Sequence, residues 1–253
     1  MNLRTVCFFM LYHNRPELTR MSMWHMAKVI KRFNKAGHMS VGMVVGDDLK
    51  QAEYAESLGL EHVYMANDPL HKKFSNTWQL ALLKETDYVC WLGSNNIHSD
   101  AYWSKCLKVL EGPKEVSFGS NKFSIVHASK DVQPTCTFKT RKDIHLCSAG
   151  QFYLNWSLSN AVNFRSIYTE GQTFNFDGKI NQALVAKWGN EIIKTISSEP
   201  SDCLDIKNEE NIHSYQSYMR KRNSAYPAYK DRSKLLDIFE ELRMLDNGQF
   251  KSL

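Results

Sequence analysis

The chain has 253 residues, of which 43% are hydrophobic and 23% charged, and a net charge of +5. This length can hold one large α/β domain or two small ones, and the composition, that of a soluble globular protein, excludes low-complexity and repeat architectures. The positive charge is compatible with an anionic partner such as a nucleotide, a nucleic acid or a membrane surface, although many proteins of this size carry it without one.

The cysteines and the first apolar run bear on the cellular setting. The six cysteines include no C-x-x-C pair, which disfavours a zinc or redox motif. Cys7 and Cys90 lie in apolar runs, where a reduced thiol packs like a small hydrophobe, so a reducing, cytoplasmic setting is expected. The apolar run at 6–12 is too short to span a membrane and lacks a cleavage site, so it is predicted to be a strand.

In chain order, apolar runs alternate with amphipathic stretches of ten or more residues. The predicted strands of the first half are 5–12, 39–48, 60–66, 87–93 and 115–120. The predicted helices are 16–37, 48–59, 72–85 and 100–112. Pro16 suits the first turn of a helix, and Gly37 and Gly59 suit helix ends. The alternation predicts an α/β protein with a mixed, mostly parallel sheet and helices on both faces.

The second half is less regular. Its predicted strands are 122–129, 144–155 and 191–198, and its predicted helices are 178–190 and 231–246. The terminal helix is amphipathic, with its apolar residues on one face. No Gly/Ser/Pro-rich linker separates the two halves. Residues 1–253 are therefore predicted to form one domain, divided into a first half at 1–110 and a second half at 111–253.

The residues that follow the predicted strands are the candidates for a site, because ligands of parallel sheets bind beyond the carboxyl ends of the strands. They are His13–Arg15, Asp47–Asp48, Asn67–Asp68 and Ser94–Asn96. No G-x-G-x-x-G, P-loop, H-E-x-x-H or G-x-S-x-G motif is present. Dinucleotide-binding, P-loop, zinc-hydrolase and serine-hydrolase functions are disfavoured accordingly.

Four short motifs occur in the order "YHNRPE", "VVGDD", "KKFSNTW" and "WLGSNN" within about the first 100 residues. In order and spacing they resemble the sugar-nucleotide-binding half of GT-A glycosyltransferases. The resemblance implies a GT-A-like, Rossmann-like fold and a nucleotide-sugar donor, with Asp47 at the nucleobase and Lys73 and Asn76 at the ribose or phosphate. The donor-binding residues that it implies are Tyr12, Asn14, Arg15, Glu17, Asp47, Lys73, Asn76, Ser94, Asn95 and Asn96.

Structural explanations stay open for several of these residues. Asn14 and Arg15 could serve only to form a turn and cap the following helix. Asp47 or Asp48 could be the N-cap of the helix after the second strand. Lys73 could be a solvated surface charge.

The chain departs from the family pattern at the fourth strand, where the family carries two aspartates that hold a metal and this chain carries Asn95-Asn96. A neutral amide holds a divalent cation far less well than a carboxylate does. No cofactor is therefore assigned. One option is Mg²⁺ or Mn²⁺ held through Asn96 and His213, helped by His98 or Asp100. A second is neutralisation of the diphosphate by arginine and lysine, which the basic composition favours, and a third is an inactive site.

The second half is expected to supply the acceptor site and the base. The segment "SAGQFYLNWSLSNAV" resembles the acceptor region of the family, which implies that Gly150, Gln151, Trp156 and Ser157 face the acceptor. Trp156 could equally be a core tryptophan. The segment "NFDGKINQALV" resembles the place where inverting members of the family carry an acid ahead of a helix, which implies Asp177 as the general base, although Asp-Gly is also a turn signal.

A basic and aromatic segment, 211–232, bears on the acceptor. Arg220, Lys221 and Arg222 lie among tyrosines, a combination that suits a phosphate backbone with stacked or flipped bases as well as a plain solvated surface.

The chain also resembles the glycosyltransferases of tailed bacteriophages, some of which modify hydroxymethylated pyrimidines in phage DNA. That resemblance implies transfer of a hexose or pentose from a UDP-sugar to a flipped DNA base in the host cytoplasm. The alternatives are a transferase acting on a surface glycan or lipid-linked acceptor, a nucleotidyltransferase, and a non-catalytic nucleotide-sugar-binding protein.

Overall fold

A computed structural model of the chain describes residues 2–67, 69–131, 136–139, 149–169, 176–196, 202–208 and 232–251. The strands of these residues are β1 (Thr5–Leu11), β2 (Met39–Gly46), β3 (Glu61–Tyr64), β4 (Tyr88–Gly93), β5 (Asn96–His98), β6 (Ser117–Gly119), β7 (Lys122–His127), β8 (Cys136–Lys139), β9 (Gln151–Leu154), β10 (Ile193–Thr195) and β11 (Cys203–Lys207). The α-helices are α1 (Pro16–Lys35), α2 (Leu49–Ser57), α3 (Leu70–Leu82), α4 (Asp100–Leu110), α5 (Asn155–Ala161), α6 (Phe164–Ile167), α7 (Phe176–Trp188), α8 (Arg232–Ile238) and α9 (Glu240–Asp246).

The larger sheet has seven strands in the order β10-β6-β9-β4-β1-β2-β3. Every pairing is parallel except those of β9, which runs antiparallel to β4 and β6. The predicted mixed, mostly parallel sheet is confirmed. Residues 6–11 of the central strand β1 are all buried, because a strand covered by helices on both faces must be apolar along its whole length.

The larger core is built from aromatic rings of both halves of the chain. Phe8 meets Phe33 edge to face at 5.2 Å between ring centroids, and Phe33 stacks on Phe152 at 5.9 Å. Trp103 of α4 packs edge-on against Phe8 at 6.2 Å. Such offset and edge-to-face pairs stabilise a core beyond the area they bury. They fix α1 and α4 against the sheet that carries the strand ends.

A smaller sheet of four strands, in the order β5-β11-β7-β8, lies beside the first. Strand β11 runs parallel to β7 and antiparallel to β5. A second apolar cluster joins this sheet to α1, α8 and α9. Its buried residues are Leu18, Met21, Ile97, Val126, Leu204, Ile206, Leu235, Phe239, Leu242, Leu245 and Phe250.

The structure corrects two predictions of secondary structure. The predicted single helix 231–246 is two helices, because Phe239 adopts an extended backbone (φ −117°, ψ 101°) that lets its ring enter the second cluster. The predicted strand 144–155 is β-structure at Gln151–Leu154, and Asn155 begins α5; residues 140–148 lie outside the described residues. The short strands β5, β8 and β11 were not predicted.

None of the helices in the described ranges combines the length and the hydropathy that crossing a bilayer requires.

Candidate functional site

The carboxyl ends of β1, β2 and β4 meet at one edge of the larger sheet. Leu11 is in register with Val45 of β2 on one side and with Gly93 of β4 on the other. The residues that follow these strands therefore emerge together, as the sequence predicted. A cleft of about 500 Å³, here called the first cleft, opens at this edge. It is lined by His13, Asn14, Asp47, Asp48, Leu49 and Lys50.

The turn after β1 has an unusual backbone. Asn14 and Arg15 both adopt left-handed conformations, with φ of 53° and 54°. Each such residue other than glycine costs about 1–2 kcal/mol, and backbone strain of this kind concentrates at functional sites. The carbonyl of Tyr12, at the start of the turn, accepts a hydrogen bond from Lys73 Nζ at 2.7 Å. This hydrogen bond helps to hold the strained turn in place.

Lys73 is not a surface charge: its exposed fraction is 1%, so the solvated interpretation is wrong. Burial lowers the pKa of its ammonium group, and the Asp47 carboxylate opposes that shift. Lys73 thus contributes positive charge from beneath the turn rather than from the wall of the cleft. Asn76, one helical turn further along α3, is exposed, and among the described residues no hydrogen bond joins it to the first cleft.

Tyr12 lies under the cleft as well, with 2% of its surface exposed. Its ring covers Gly46, where a Cβ would collide with the ring, so only glycine fits at the end of β2. Its hydroxyl donates to the carbonyl of Asp48 at 3.0 Å and contacts His62 Nε2 at 2.9 Å. Burial raises the pKa of the phenol to about 12. Tyr12 therefore fixes the β1 and β2 ends relative to each other.

The structure separates the roles of the two aspartates after β2. Asp48 is the N-cap of α2, with Oδ1 accepting from the backbone N–H groups of Lys50 (2.8 Å) and Gln51 (3.2 Å). Asp47 has no part in this cap and instead faces the cleft, where its Oδ1 lies 3.4 Å from His13 Nδ1. The structural explanation therefore holds for Asp48, and the carboxylate of Asp47 is placed to accept a hydrogen bond in the cleft.

Arg15 reaches from the turn to the end of β4. Among the described residues no side chain caps α1, and Arg15, at the N-cap position, sends its Nη2 to Ser94 Oγ at 2.9 Å. Capping by the Arg15 side chain is thus excluded. Its guanidinium brings a permanent positive charge to the point where the family has its metal-binding pair.

Asn95 and Asn96 are both 8% exposed and are held by their neighbours. The amide of Asn95 donates to Asp205 Oδ1 at 2.7 Å and to the carbonyl of Ile206 at 2.8 Å. The Asp205 carboxylate also pairs with Lys207 Nζ at 2.9 Å. Asn96 packs on Gly93, where a Cβ would collide with the Asn96 amide oxygen. The pair is therefore part of the small sheet's hydrogen-bond network.

Asp205 is the residue that sequence reasoning missed. It and Lys207 alternate with buried apolar residues in "CLDIK", a period-two pattern that indicates a strand with two charges on one face.

The donor set at this position does not fit a divalent cation. It offers two neutral amides and one carboxylate that already has a cationic partner. The described residues contain no group of three or more His, Cys, Asp or Glu side chains that could hold a metal. His98 Nε2 is bonded to the Ala149 carbonyl at 2.8 Å, and Asp100 pairs with Arg32 at 2.7 Å, so both side chains already have partners within the chain. His213 lies outside the described residues.

Gly150 and Gln151 lie beside β4 but are buried. The N–H of Gly150 donates to Trp91 O at 2.6 Å, and its carbonyl accepts from Tyr102 at 2.7 Å. Gly150 has φ of +80°, and a Cβ there would strike the ring of His98. Gln151 is 0% exposed. Both residues are therefore part of the buried structure next to β4.

Trp156 lies at the edge of the sheet opposite to the carboxyl ends of β1, β2 and β4. Because β9 is antiparallel, it runs from Gln151, opposite Trp91, to Leu154, opposite Tyr88 at the start of β4. Trp156 follows there and is 44% exposed, packing edge-on against Trp188 at 5.1 Å. Its role in the acceptor site stays a prediction. Ser157 beside it is fully buried.

The direction of α7 bears on Asp177, the second residue of that helix. The last residue of α7, Trp188, contacts Trp156 at the far edge, and Asn181 is bonded to Tyr153 at 3.2 Å in the middle of the sheet. From Trp188 back through Asn181, α7 therefore runs toward the edge of the sheet at which β1, β2 and β4 end, and Asp177 lies at the end of the helix nearer to that edge. The side chain of Asp177 and all of residues 209–231, including Arg220, Lys221 and Arg222, lie outside the described residues.

No family model and no curated protein matches the chain. Solved structures do match. TarS of S. aureus superimposes with a TM-score of 0.55 and 11% identity over 80% of this chain, and the chain spans 36% of TarS. Mannosyl-3-phosphoglycerate synthase of Rubrobacter xylanophilus matches with a TM-score of 0.47 and 13% identity, covering 99% of this chain and 77% of the other.

Both neighbours are GT-A-type proteins. The likeness to TarS, together with the observed strand order, shows that this chain has the GT-A-type fold.

Proposed function

We propose that the chain is a glycosyltransferase that moves a sugar from a nucleotide-sugar donor to an acceptor hydroxyl. The observation that carries this proposal is the convergence of Asp47, the Asn14–Arg15 turn and Ser94 at one edge of a GT-A-type sheet. In open α/β sheets this edge is where nucleotide ligands bind.

The first cleft is proposed to bind the nucleoside. Asp47 accepts a hydrogen bond from a ring N–H of the base. Its carboxylate lies at the wall of the cleft, so it can make this bond while it stays in contact with solvent. The uncapped first turn of α1 begins at the strained turn and carries partial positive charge. These features fit a uracil nucleotide, whose ring N–H matches the carboxylate and whose phosphates match the helix terminus.

The diphosphate is proposed to be stabilised by protein cations. Arg15 donates in the plane of its guanidinium and already reaches Ser94, and a guanidinium binds phosphate oxygens in a bidentate manner. Lys73, buried under the turn after β1, adds positive charge. As the bond from the anomeric carbon to the diphosphate breaks, negative charge builds up on the leaving oxygen, and preorganised donors lower the barrier. Transfer is therefore expected not to require a divalent cation.

The acceptor hydroxyl is proposed to attack the anomeric carbon while Asp177 takes its proton. Its position at the start of α7 supports this role. As acceptor we propose a hydroxymethylated pyrimidine of DNA, which would leave the duplex to reach the site. The support is the net charge of +5 and the basic, tyrosine-rich segment around Arg220.

A non-catalytic nucleotide-sugar-binding protein is the second candidate, favoured by the way Asn95 is bonded into the small sheet. The test is an assay of donor hydrolysis and transfer with a panel of nucleotide sugars. The acceptors are hydroxymethylcytosine DNA, unmodified DNA and oligosaccharides, each with and without EDTA. Transfer that survives EDTA supports the enzyme; binding of a donor without hydrolysis or transfer supports the second candidate. Transfer to an oligosaccharide alone would replace the DNA acceptor with a glycan.

A further inference from the structure

A second cleft of about 510 Å³ adjoins the first across the turn after β1. Asn14 lines the first cleft, and the next residue, Arg15, lines the second. The second cleft lies between the first turn of α1, the turn after β7, the residue after β11 and the end of α9. Because Arg15 also contacts Ser94, a group in the second cleft would lie next to the proposed diphosphate position.

One wall of the second cleft is fixed by a buried ion pair. Arg232, 5% exposed, donates Nε to Asp246 Oδ2 at 3.2 Å and Nη2 to Asp246 Oδ1 at 2.5 Å. Its Nη1 donates to the backbone carbonyls of His127 at 2.7 Å and Ser129 at 3.4 Å. A bidentate pair with additional backbone bonds fixes geometry as well as charge. The turn after β7 is thereby held against α9 before any ligand arrives.

The lining of the second cleft combines an apolar floor with walls of both charges. Leu18 and Leu245, 3% and 6% exposed, form the floor. Lys130 and Lys251 supply donors, while Glu17 and Asp131 supply acceptors. Glu17, one of the residues expected to bind the donor, thus lines this second cleft.

This mixture of charges discriminates between ligand classes. A polyanion alone would be repelled by the carboxylates, and a simple anion would leave them without a function. A flat heterocycle needs apolar contact for its faces, together with donors and acceptors for its edge. Cytosine presents an exocyclic amino donor next to ring acceptors, so carboxylates and ammonium groups side by side are complementary to it.

We propose that the second cleft receives the flipped, hydroxymethylated pyrimidine of the acceptor strand, with Glu17 and Asp131 reading its amino edge. The flanking phosphates lie over Lys130 and Lys251 at the rim. This inference rests on the proposed function, because it assigns the acceptor position of the same site. Enzymes that act on a base read the flipped base by hydrogen bonds to its edge, and two such bonds discriminate by roughly tenfold or more.

The test measures binding without any sugar donor. Fluorescence anisotropy would compare a labelled single-stranded oligonucleotide carrying one 5-hydroxymethylcytosine with the same strand carrying 5-hydroxymethyluracil, which lacks the amino group. The wild type is expected to bind the cytosine strand more tightly than the uracil strand. In the double variant Glu17→Gln, Asp131→Asn, the ratio of the two affinities should fall by about tenfold. The control is Asp237→Asn, an exposed acid of α8 away from the cleft, which should keep the preference.

Equal binding of both strands by the wild type, or an unchanged preference in the double variant, would overturn the inference. So would competition by a neutral oligosaccharide instead of the oligonucleotide. Thermal melting checks that the variants are folded. Donor hydrolysis is measured separately with nucleotide sugars. Hydrolysis without base preference leaves the proposed function standing and overturns this inference. Base preference without any donor binding overturns the proposed function and leaves a base-binding cleft that is not an acceptor site.

Discussion

The side-chain amide of Asn95 lies 2.7 Å from the carboxylate of Asp205, across two neighbouring segments of the small sheet. A neutral donor and a charged acceptor thus meet where the family resemblance leads one to expect two acids. The hydrogen bond stabilises the buried carboxylate, which Lys207 also neutralises at 2.9 Å.

Asn95→Asp is expected to destabilise the fold, because it replaces a buried amide–carboxylate hydrogen bond with two adjacent carboxylates. The loss of unfolding free energy should be about 2 kcal/mol in EDTA. Added Mn²⁺ should restore part of it, since two carboxylates can hold a cation. Urea denaturation measures both effects. Asn2→Asp, which alters an exposed amide, is the control; equal losses in the two variants would contradict the role given to Asn95.

Arg15→Ala is expected to lower kcat for transfer by about 100-fold, because it removes a preorganised donor for the leaving diphosphate. Arg15→Lys should recover only part of the rate, since a lysine keeps the charge but not the planar fork. Arg32→Ala removes a surface contact to Asp100 and should leave kcat unchanged. Steady-state kinetics with saturating donor measure the effect. Wild-type kcat in Arg15→Ala would exclude a role for this guanidinium.

Substitutions of Asp47 and Asp48 are expected to affect different properties, nucleotide binding for Asp47 and folding stability for Asp48. Asp48→Ala removes the N-cap of α2 and should cost about 1 kcal/mol of folding stability, with a modest change in nucleotide affinity. Asp47→Ala should leave the midpoint of thermal unfolding nearly unchanged and weaken nucleotide binding about tenfold. Calorimetry measures both quantities in each variant. The reverse pattern would mean that the two aspartates have been assigned the wrong way round.

His98 makes the fold sensitive to acid. Burial lowers its pKa to about 3 in the folded chain, whereas an unfolded histidine titrates near 6.5. Below pH 6.5 the unfolded state binds a proton that the folded state does not. Stability due to neutral His98 is therefore complete above pH 6.5 and falls, as pH drops toward 3, by up to about 1.4 kcal/mol per pH unit.

His98→Gln, which keeps a donor for the Ala149 carbonyl, is expected to show a shallower fall in stability than the wild type between pH 6.5 and pH 4.5. Urea denaturation at several pH values measures the slopes. His71→Gln, at a half-exposed position of α3, should keep the wild-type slope. Identical slopes for His98→Gln and the wild type would show that His98 is not the group responsible.

Asp177→Asn is expected to lower the rate of transfer by a factor of about 100 or more, while the affinity for the donor is unchanged. An amide keeps the shape of the side chain but cannot accept the proton of the acceptor hydroxyl. Transfer and nucleotide affinity are measured in parallel, with Asp237→Asn of α8 as the control. Full transfer by Asp177→Asn would assign the base to another residue.

The repeated strand–helix pattern of the first half could be predicted from the sequence, because short continuous apolar runs such as residues 6–11 are typical of strands covered on both faces. Their carboxyl ends had to meet once the strands were parallel, which brought Asp47, Arg15 and Ser94 to one edge. Local pattern thus predicted where the candidate site lies.

The remainder depended on contacts that local pattern does not contain. The antiparallel direction of β9 decides the position of Trp156. The sequence of the four residues of β9 does not indicate whether the strand runs parallel or antiparallel to β4. The burial of Lys73 depends on a carbonyl 61 residues away in sequence, that of Tyr12. Asp205 lies in a five-residue strand whose charges are neutralised by neighbours from the rest of the small sheet. Such pairings are properties of the tertiary structure.

The second apolar cluster also makes the packing of α1 depend on residues that are synthesised much later. The outer face of α1 is covered by α8, α9 and Phe250, and the guanidinium of Arg20 donates to the carbonyl of Phe250, 230 residues later. His25 of α1 likewise pairs with Glu241 at 2.8 Å. While the ribosome is still making residues 36–231, Leu18 and Met21 lack these partners. The packing of the helix that begins at the proposed nucleotide site is thus completed only after residues 232–250 have been made.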